Sequence, residues 1–455
     1  MKTVAKPIQA APSLKILRIA AVITFFFLGI QHLSARTLLK SDNADTSVTA
    51  YIRQKIAGNK TGAGINFPES VKRFYQQRNF EPNWVTPQAT NQKTWESMLM
   101  LDCVLQFGLT HADYHPQEMP YTRLHDILER PGTVSNIAKA QYDVVLTDAL
   151  ITFINNLHYG KLNPNYPAKK IDRLTVGFQA DKILANALQQ KDYMSAILDV
   201  QPKTRAYESL QRRMNLLEGI YQGDCYEIPE AEVRKMAINM ERLRWMNIDG
   251  NNYVQINIPS FTLKLNRPDT TYEFKIMAGK PTTPSPVLTS SITYFTVGYK
   301  RMPMKNAARR LPNNKENEYQ GNNALSNYNT QAIPPGTIFF WPAAGNGIVL
   351  QGVARLHAGR DQAGTDGAIK IENGKKLAAL LLENDNAAAR VKEMQAALNA
   401  GLLKNFMLQT PVPLRITYIT CEMKDGILVN YPDVYDKDKK LEMALYNTTQ
   451  TLTMR

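Results

Sequence analysis

The sequence predicts an α+β chain, with an all-helical part first and a β-rich part with flanking helices second. From about residue 67 to residue 246, apolar residues recur at steps of three and four, the spacing of one helix face. After Trp245 the apolar spacing changes to two, as is typical of half-buried strands. The hydrophobic content of 44% and the charged content of 21% are ordinary for globular proteins, and 455 residues suffice for more than one domain.

Several helices are predicted in the first half. In VKRFYQQRNFEPNW, the side chains of Val71, Phe74 and Tyr75 share one face. WESMLMLDCVLQFGL keeps this spacing until Gly108, and QYDVVLTDALITFINNLHYGKLNP predicts a long helix that Gly160 closes. Further helices are predicted from ADKILANALQQ, TRAYESLQRRMNLLEGI and EAEVRKMAINMERLRWM. Together these segments predict an all-helical domain over residues 67–246.

The second half begins with a predicted β-hairpin in YVQINIPSFTLKL, which turns at Pro259–Ser260. Its alternating apolar residues are Val254, Ile256, Ile258, Phe261, Leu263 and Leu265. Further strands are predicted from TYEFKIMAGK, SSITYFTVG, GTIFFWP, GIVLQG and VPLRITYITCEM. Asn373 is expected to cap a helix in GKKLAALLLEN, and DNAAARVKEMQAALNAGLL predicts another helix.

The N-terminal segment predicts export to the periplasm or cell envelope. Basic residues precede an apolar run at Ile19–Ile30, and Leu33-Ser34-Ala35 follows it, which is the layout of a secretory signal peptide. The run is shorter than the roughly 20 residues of a comfortable membrane span. Because Leu33 is a mediocre cleavage-site residue, the alternative of an uncleaved inner-membrane tether through Ile19–Ile30 stays open. A lipoprotein anchor is excluded, since no cysteine follows the run.

Composition shifts along the chain predict the domain boundaries. The expected parts are a signal peptide or anchor at 1–35, a polar linker at 36–66, the helical domain at 67–246, the β-rich domain at 250–435 and a tail at 436–455. Inside the β-rich domain, residues 299–330 are basic and polar and lack periodicity. Long loops of this kind are functional lids or solvated insertions, and both interpretations stay open.

The charge of the chain limits the kinds of partner that it can be expected to bind. The net charge of +14 and the pI near 9.4 favour anionic surfaces such as acidic lipid or wall polymer. Nucleic acid is not expected as a partner, because neither a nucleic-acid motif nor a basic face interleaved with aromatics is present.

The cysteines and histidines do not predict a metal site. Cys103, Cys225 and Cys421 form no ligand cluster, although a disulfide between two of them stays open. His111 and His115 lack further ligands, so we expect a polar loop there, and neither a metal nor another cofactor.

The order of these segments resembles that of the large exported L,D-transpeptidases of Gram-negative bacteria, in which a helical scaffold domain precedes a YkuD-type catalytic domain. The resemblance runs from about Phe74 to Tyr435. Its landmarks are FYQQRNFEPNW, LTDALITFINNLHYGKLNP, INMERLRWM, YVQINIPSFTLKL, AGKPTTPSPVLTSSITYFTVG, IENGKKLAALLL and PVPLRITYITCEM. Each landmark is weak alone, and together they are specific. The resemblance implies the L,D-transpeptidase fold and a function in peptidoglycan (murein) biogenesis or remodelling.

The resemblance also implies a chemistry against which the residues can be compared. Members of the family transacylate peptidoglycan stem peptides through a cysteine thioester. A thiolate attacks an amide carbonyl, a nearby histidine keeps the thiol deprotonated or takes its proton, and backbone N–H groups and an arginine hold the oxyanion. The family motif reads Ser-His-Gly-Cys, an apolar residue and Arg. A second histidine, followed by Asp or Gly, ends the preceding strand.

The stretch GTDGAIKIEN aligns with this motif but lacks its reactive groups. Thr365 replaces the serine, Asp366 replaces the histidine, and Ala368 replaces the nucleophilic cysteine. Gly367 matches the motif, and Lys370 replaces the arginine without offering its planar fork of donors. The resemblance therefore implies a transpeptidase site that has kept its frame and lost its nucleophile.

The upstream strand GIVLQG is altered in the same way, since Gln351 replaces the second histidine and Gly352 its partner. Thr365 offers a hydroxyl without an evident base, and an unactivated hydroxyl is a weak nucleophile. We expect His357 on a surface loop, and Cys421 in the late strand at a place where the family has a small packing residue. Cysteine-type transpeptidation is therefore not expected, and no intact catalytic residue remains.

Three functions stay open. The first is a non-catalytic relative, a pseudoenzyme that binds peptidoglycan stem peptides or a wall-synthesis enzyme. The second is an active peptidoglycan transpeptidase or hydrolase with altered, non-cysteine chemistry, which would depend on Thr365 or Asp366. The third is a structural envelope protein that interacts through its helical domain.

Overall fold

A computed structural model of the protein describes residues 46–58, 64–86, 91–218, 230–246, 252–298, 336–343, 348–356, 363–365 and 367–446. The apolar run Ile19–Ile30, the 299–330 insertion, Cys225, His357 and Asp366 lie outside the described residues. Within the described ranges, no helix is long and apolar enough to cross a membrane.

The first half is helical, as the apolar spacing predicts. Its described helices are α1 Val48–Ala57, α2 Pro68–Gln76, α3 Asn91–Asp102, α4 Tyr121–Glu129, α5 Asn136–Tyr159, α6 Ala168–Asp172, α7 Ala180–Ala187, α8 Tyr193–Leu198, α9 Arg205–Glu218 and α10 Ala231–Arg244. Short 3-10 helices lie at Val104–Phe107, His111–Tyr114 and Pro131–Thr133.

The long helix α5 is the centre of this half. The Ser135 hydroxyl caps its first turn by accepting a hydrogen bond from the Ala138 N–H at 3.3 Å. Gly160 ends the helix with a φ of 85°, a conformation that suits glycine. Most α5 side chains from Ala140 onward are buried, apolar and polar alike, so the helix lies at the core of the helical part.

A buried carboxylate attaches the segment after α2 to this central helix. Asp143 of α5 accepts hydrogen bonds from the Tyr75 hydroxyl and from the backbone N–H groups of Asn83, Trp84 and Val85. The Trp84 indole N–H donates to Thr147 of the same helix at 2.8 Å. The landmark FYQQRNFEPNW is therefore a structural motif, in which polar contacts satisfy the backbone of a buried turn.

The expectation of a polar linker over residues 36–66 misses helix α1. Ser47 caps this helix by accepting a hydrogen bond from the Ala50 N–H at 3.1 Å. Ile52 and Ile56 lie four residues apart on one face and are buried in the helical core. The helix is only 10 residues long and lies beside Gly, Lys and Thr residues, so its apolar pattern is short and easily missed.

The second half is β-rich, also as predicted, and the fold class is α+β. Its strands are β1 Tyr253–Asn257, β2 Thr262–Asn266, β3 Thr271–Gly279, β4 Leu288–Val297, β5 Ile338–Pro342, β6 Leu350–Val353, β7 Ala363–Thr365, β8 Ile369–Glu372, β9 Lys404–Thr417, β10 Cys421–Lys424 and β11 Ile427–Asn430. Its helices are α11 Gly374–Asn384, α12 Ala389–Asn399 and α13 Asp438–Leu445.

Eight strands close into a barrel. Their order is β2-β1-β9-β4-β5-β6-β8-β3, and β3 pairs back with β2. Strand β7 pairs with β3, while β10 and β11 form a separate hairpin. Inward-facing side chains of the barrel strands share one core with the apolar side chains of α11 and α12.

The predicted hairpin at the start of this half is confirmed. Val254 pairs with Leu265 and Ile256 pairs with Leu263, and all four side chains are buried. Phe261 lies in the turn with a φ of 53° and does not belong to the second strand. The period of two therefore identifies the strands, whereas the turn also includes Ile258 and Phe261 and is two residues longer than its sequence suggests.

The late strand differs from its prediction. Strand β9 ends at Thr417, and Cys421 begins the separate strand β10. The reason is a side chain: the Asn257 carboxamide accepts from the Ile419 N–H at 2.8 Å and donates to the Ile419 carbonyl at 2.9 Å. These bonds take the place of the strand ladder, so the chain leaves the barrel before Cys421.

The two halves share a buried junction. Asn239 of α10 accepts from the Thr420 N–H at 2.8 Å, and Arg242 pairs with Asp438 of α13 at 2.6 Å. Helix α13 thus lies in the stretch expected to be a tail and is attached to α10. Apolar residues of α9, α10, β10 and α13 form a common cluster around these polar contacts.

Candidate functional site

The residues that align with the catalytic motif meet on neighbouring strands of the barrel. Gln351 of β6 lies directly beside Lys370 of the parallel strand β8, and beside Phe339 of the antiparallel strand β5. The flanking residues Leu350 and Ile369 face the barrel core. Since side chains alternate along a strand, Gln351, Lys370 and Phe339 share the outer face.

Ala368 lies at the start of β8, where the motif would place its cysteine. Its methyl group is 2% exposed and packs in a small apolar cluster with Phe339 and Val349. Trp341 of β5 borders this cluster, and the Ile369 N–H donates to the Val349 carbonyl at 3.0 Å. A methyl group in an apolar cluster offers neither a nucleophile nor a proton donor to a bound substrate.

Gln351 is the unusual member of the site. It is 2% exposed, and among the described residues its carboxamide oxygen Oε1 has no hydrogen-bond partner. A buried polar group left without a partner costs about 1–3 kcal/mol of folding stability. Native proteins rarely leave such a group unexplained, and a ligand that donates a hydrogen bond is one explanation.

Lys370 is the only motif residue in the described part of this face that still carries a charge. Its side chain is half-buried, and within the described ranges its ammonium forms no ion pair. Glu372, two residues further along β8, has its carboxylate directed to the Leu356 N–H at 3.3 Å. Among the described residues, Glu372 therefore does not neutralise the ammonium of Lys370.

Gly352 is required by packing. A Cβ atom at this position would come within 2.8 Å of the Gly374 Cα atom, at the first residue of α11. Asn373, directly before that helix, has a φ of 54°, and its side chain forms no capping hydrogen bond. Asn373 thus marks the helix start as predicted, but it acts through its left-handed backbone. The close approach of β6 to α11 fixes the strand that carries Gln351.

The turn before β8 is held by residues that sequence reasoning did not single out. The Ser285 hydroxyl accepts from the Gly279 N–H at 2.9 Å and donates to the Gly367 carbonyl at 3.1 Å. The Tyr435 hydroxyl accepts from the Ser285 N–H at 3.1 Å and donates to the Gly279 carbonyl at 2.9 Å. Gly367 itself has a φ of 77°, which favours glycine.

These contacts join three distant segments around the motif. Ser285 lies in the landmark AGKPTTPSPVLTSSITYFTVG, and this position was the available clue to its importance. No local pattern pointed to Tyr435. Both hydroxyls are used by backbone groups, and Ser285 is 1% exposed. They position the turn and are not free nucleophiles.

The remaining predicted site residues are placed only in part. The backbone of Thr365 pairs with Gly279 at the end of β3, which brings β7 to the same edge of the barrel. Asp366 and His357 lie outside the described residues, as does the 299–330 insertion.

Cys421 does not belong to this site. It is fully buried at the junction with α10, where the Asn239 amide donates to its sulfur at 3.2 Å. Burial raises the pKa of the Cys421 thiol to about 12. Such a thiol stays protonated near neutral pH and is a poor nucleophile. Within the described part of the chain, neither Cys103 nor Cys421 forms a disulfide.

The two neighbouring histidines are structural and not exposed on a polar loop. The His111 ring bonds to the Asp102 carbonyl at 2.5 Å, and His115 bonds to the buried Asp148 carboxylate at 2.7 Å. Asp148 also accepts from the N–H groups of Asn66 and Phe67. No group of three or more His, Cys, Asp or Glu side chains in the described ranges could hold a metal ion.

Comparisons with known proteins agree with this organisation. The family described as "Scaffold domain" matches residues 69–214, the stretch from α2 to α9. A Haemophilus influenzae protein named "Putative L,D-transpeptidase" is 21% identical over 432 residues, which cover 84% of this chain and 81% of that protein. The two similarities support an L,D-transpeptidase-like family.

Proposed function

We propose that the protein is an exported, non-catalytic member of the cell envelope that acts in peptidoglycan biogenesis or remodelling. In this proposal the L,D-transpeptidase-like part binds wall stem peptides, or a wall-synthesis enzyme, without forming a covalent intermediate. The relative named as an L,D-transpeptidase and the +14 charge support an association with the cell wall. The observation that carries the proposal is the buried methyl group of Ala368 at the nucleophile position.

The chemistry explains why this one replacement is decisive. Thioester formation needs a sulfur atom that attacks the amide carbonyl, and a base that holds its proton. Ala368 removes the attacking atom. Gln351 removes the second imidazole, because a carboxamide does not take up a proton near neutral pH. The preserved frame around Gly352, Gly367 and Ser285 would then serve to hold a peptide without cleaving it.

Two measurements on the purified full chain test the proposal. The first is sedimentation with isolated sacculi, where we expect the protein in the pellet. The second is intact-mass spectrometry after incubation with a stem tetrapeptide or a carbapenem, where we expect no covalent adduct. Binding to neither sacculi nor a co-purified wall enzyme would contradict the binding function.

The competing enzymatic function gives a different result in the same experiments. It requires muropeptide turnover that disappears in Thr365→Ala or Asp366→Asn. Turnover of this kind would replace the proposal, because the protein would then use non-cysteine chemistry.

A further inference from the structure

We propose that an exposed apolar corner of the barrel, formed by Leu402, Leu403 and Met407, docks on an anionic lipid surface. Lys404, directly after the two leucines, would contact the lipid phosphates. This apolar corner belongs to β9 and the turn before it, and β4 and β5 separate β9 from the motif strand β6. The inference goes beyond the proposed function, because it concerns the surface on which the protein lies and not its ligand in the wall.

The three apolar side chains of the corner are open to solvent. Leu402, Leu403 and Met407 are 60%, 54% and 57% exposed. Met407 lies between the buried residues Phe406 and Leu408, so the alternation of the strand turns it outward. Single exposed apolar residues are ordinary, whereas a group of large ones on one corner indicates an interaction surface.

The backbone of the turn holds both leucines in these exposed positions. Helix α12 is closed by Gly401, which has a φ of 65°, and the Leu402 N–H donates to the Ala397 carbonyl at 2.9 Å. Gly298, after β4, packs so closely that a Cβ atom there would lie 2.2 Å from the Leu402 carbonyl oxygen. The fold therefore presents the leucines from a supported turn, and their exposure is built into the barrel.

The charges around the corner favour an anionic partner. Residues 387–410 carry three basic side chains, Arg390, Lys392 and Lys404, and one acidic side chain, Glu393. The Lys404 ammonium lies 2.5 Å from the Glu393 carboxylate, and the Arg390 guanidinium lies 3.9 Å from it. One carboxylate cannot neutralise three cations, so this stretch keeps a net positive charge.

The sequence that follows Gly298 adds to this charge. The chain leaves the described residues at Gly298, which contacts the Leu402–Leu403 peptide group. The next seventeen residues, 299–315, include six basic and no acidic residues. Basic segments beside an apolar surface strengthen its attraction to anionic lipid.

A lipid surface fits this combination better than a second copy of the chain. In a symmetric dimer the corner would face its own copy, and like charges would be brought together. A bilayer takes up leucine and methionine side chains below its headgroups, while lysines reach the phosphates with their long stems. Tyr294, the half-buried register partner of Met407, belongs to a residue type that is enriched at such interfaces.

Vesicle sedimentation of the full-length protein tests the inference. The vesicles contain either phosphatidylcholine alone or equal parts of phosphatidylcholine and phosphatidylglycerol. We expect the double variant Leu402→Ser, Leu403→Ser to bind the anionic vesicles about tenfold more weakly than the wild type. Lys392→Gln with Lys404→Gln should weaken the same binding by about tenfold and remove the preference for anionic vesicles.

The matched control is Leu216→Ser, because Leu216 of α9 is 61% exposed in the helical half. This variant should bind like the wild type. The apolar run Ile19–Ile30 is present in every variant, so its own affinity for lipid does not distinguish them. Hydrogen–deuterium exchange of the wild type gives a second readout: anionic vesicles should protect the backbone amides of residues 400–403.

Both results are required. Equal vesicle binding by the wild type and the double leucine variant would overturn the inference, as would unprotected amides at residues 400–403 or an equal loss of binding in Leu216→Ser. If the leucine substitutions abolish a dimer in sedimentation velocity and leave vesicle binding unchanged, the corner is a contact between copies and the inference is wrong. Sedimentation with sacculi is measured without lipid, so failure here leaves the proposed function to its own test.

Discussion

Gln351 and Lys370 are direct register partners on the parallel strands β6 and β8, one with a buried carboxamide oxygen and the other with an ammonium outside any described ion pair. Within the described residues the fold therefore leaves Oε1 of Gln351 unsatisfied, and a buried polar group without a partner costs stability. A ligand that donates a hydrogen bond is one explanation for such a group.

Replacing Gln351 by leucine should stabilise the protein. Gln351→Leu removes the unsatisfied Oε1 from a buried position beside Phe339, so we expect the free energy of unfolding to rise by about 1–3 kcal/mol. Urea denaturation measures it. Gln409→Leu is the matched control, because Gln409 is exposed on β9 and its replacement should change stability by less than about 0.5 kcal/mol. A destabilised Gln351→Leu would mean that the carboxamide has a structural partner.

Adding a methyl group at Gly352 should destabilise the protein. The new Cβ atom of Gly352→Ala would lie 2.8 Å from the Gly374 Cα, and this backbone contact cannot yield without moving β6 away from α11. We expect a loss of about 1–3 kcal/mol in urea denaturation, as for other overpacked positions. Gly132→Ala, in a place where a Cβ meets nothing within 4 Å, should be nearly neutral. Equal effects of the two substitutions would contradict the close packing at the site.

The buried ion pair within α10 should be essential to the stability of the helical half. Glu241 and Arg244 are both fully buried, and Glu241 also accepts from the Leu162 N–H at 2.6 Å and the Trp245 indole at 2.9 Å. Glu241→Gln leaves the guanidinium without its counter-charge, and such losses cost about 3–5 kcal/mol. Thermal unfolding measures the change.

The control for that prediction is an exposed pair in the same half. Asp126 and Arg130 pair on the surface of α4, and Asp126→Asn should cost less than about 1 kcal/mol. If Glu241→Gln were as mild as Asp126→Asn, the helical half would tolerate an uncompensated Arg244, and the buried pair would not be a structural requirement.

The Cys421 thiol should be unreactive in the folded protein. Its pKa is raised by burial from 9.0 to about 12, so the folded state holds a proton that the unfolded chain releases. The stability contributed by this group is complete below pH 9 and is lost as the pH rises toward 12. Iodoacetamide at pH 8, followed by peptide mapping, should label Cys421 only after denaturation.

An alanine variant checks the pH dependence. Cys421→Ala removes the titrating group, so the decline of its melting temperature above pH 9 should be shallower than that of the wild type. Rapid labelling of Cys421 in the native protein, or identical alkaline profiles, would contradict a protonated buried thiol. Rapid labelling would also make Cys421 a candidate nucleophile again.

Local patterns in the sequence were sufficient to predict the regular helices and strands of the fold. The alternation of Val254 and Ile256 against Leu263 and Leu265 gave the hairpin and its faces, and the many apolar residues after Ala140 gave the central helix α5. These elements are predictable because burial of a face imposes a period on neighbouring residues.

The features of the fold that the sequence did not predict depend on contacts between residues distant in sequence. Tyr435 reaches Gly279 across 156 positions, and Asn257 reaches Ile419 across 162, so no local spacing reveals either contact. The end of β9 and the support of the Gly367 turn were missed for this reason. The motif positions themselves came from resemblance, whereas the unpartnered oxygen of Gln351 could be recognised only from the three-dimensional packing.

The central claim is that Ala368 occupies the nucleophile position of a transpeptidase-like site that keeps its backbone frame but lacks catalytic activity. Restoring the missing cysteine and histidines tests this claim most directly. The measurement is intact-mass spectrometry of the Ala368→Cys, Asp366→His, Gln351→His triple variant and of the wild type, each after incubation with a carbapenem. A near-ultraviolet circular dichroism spectrum like that of the wild type first establishes that the variant is folded. We predict a covalent adduct on the triple variant and none on the wild type. A folded triple variant that remains unmodified, or a wild type that becomes acylated, would contradict the account.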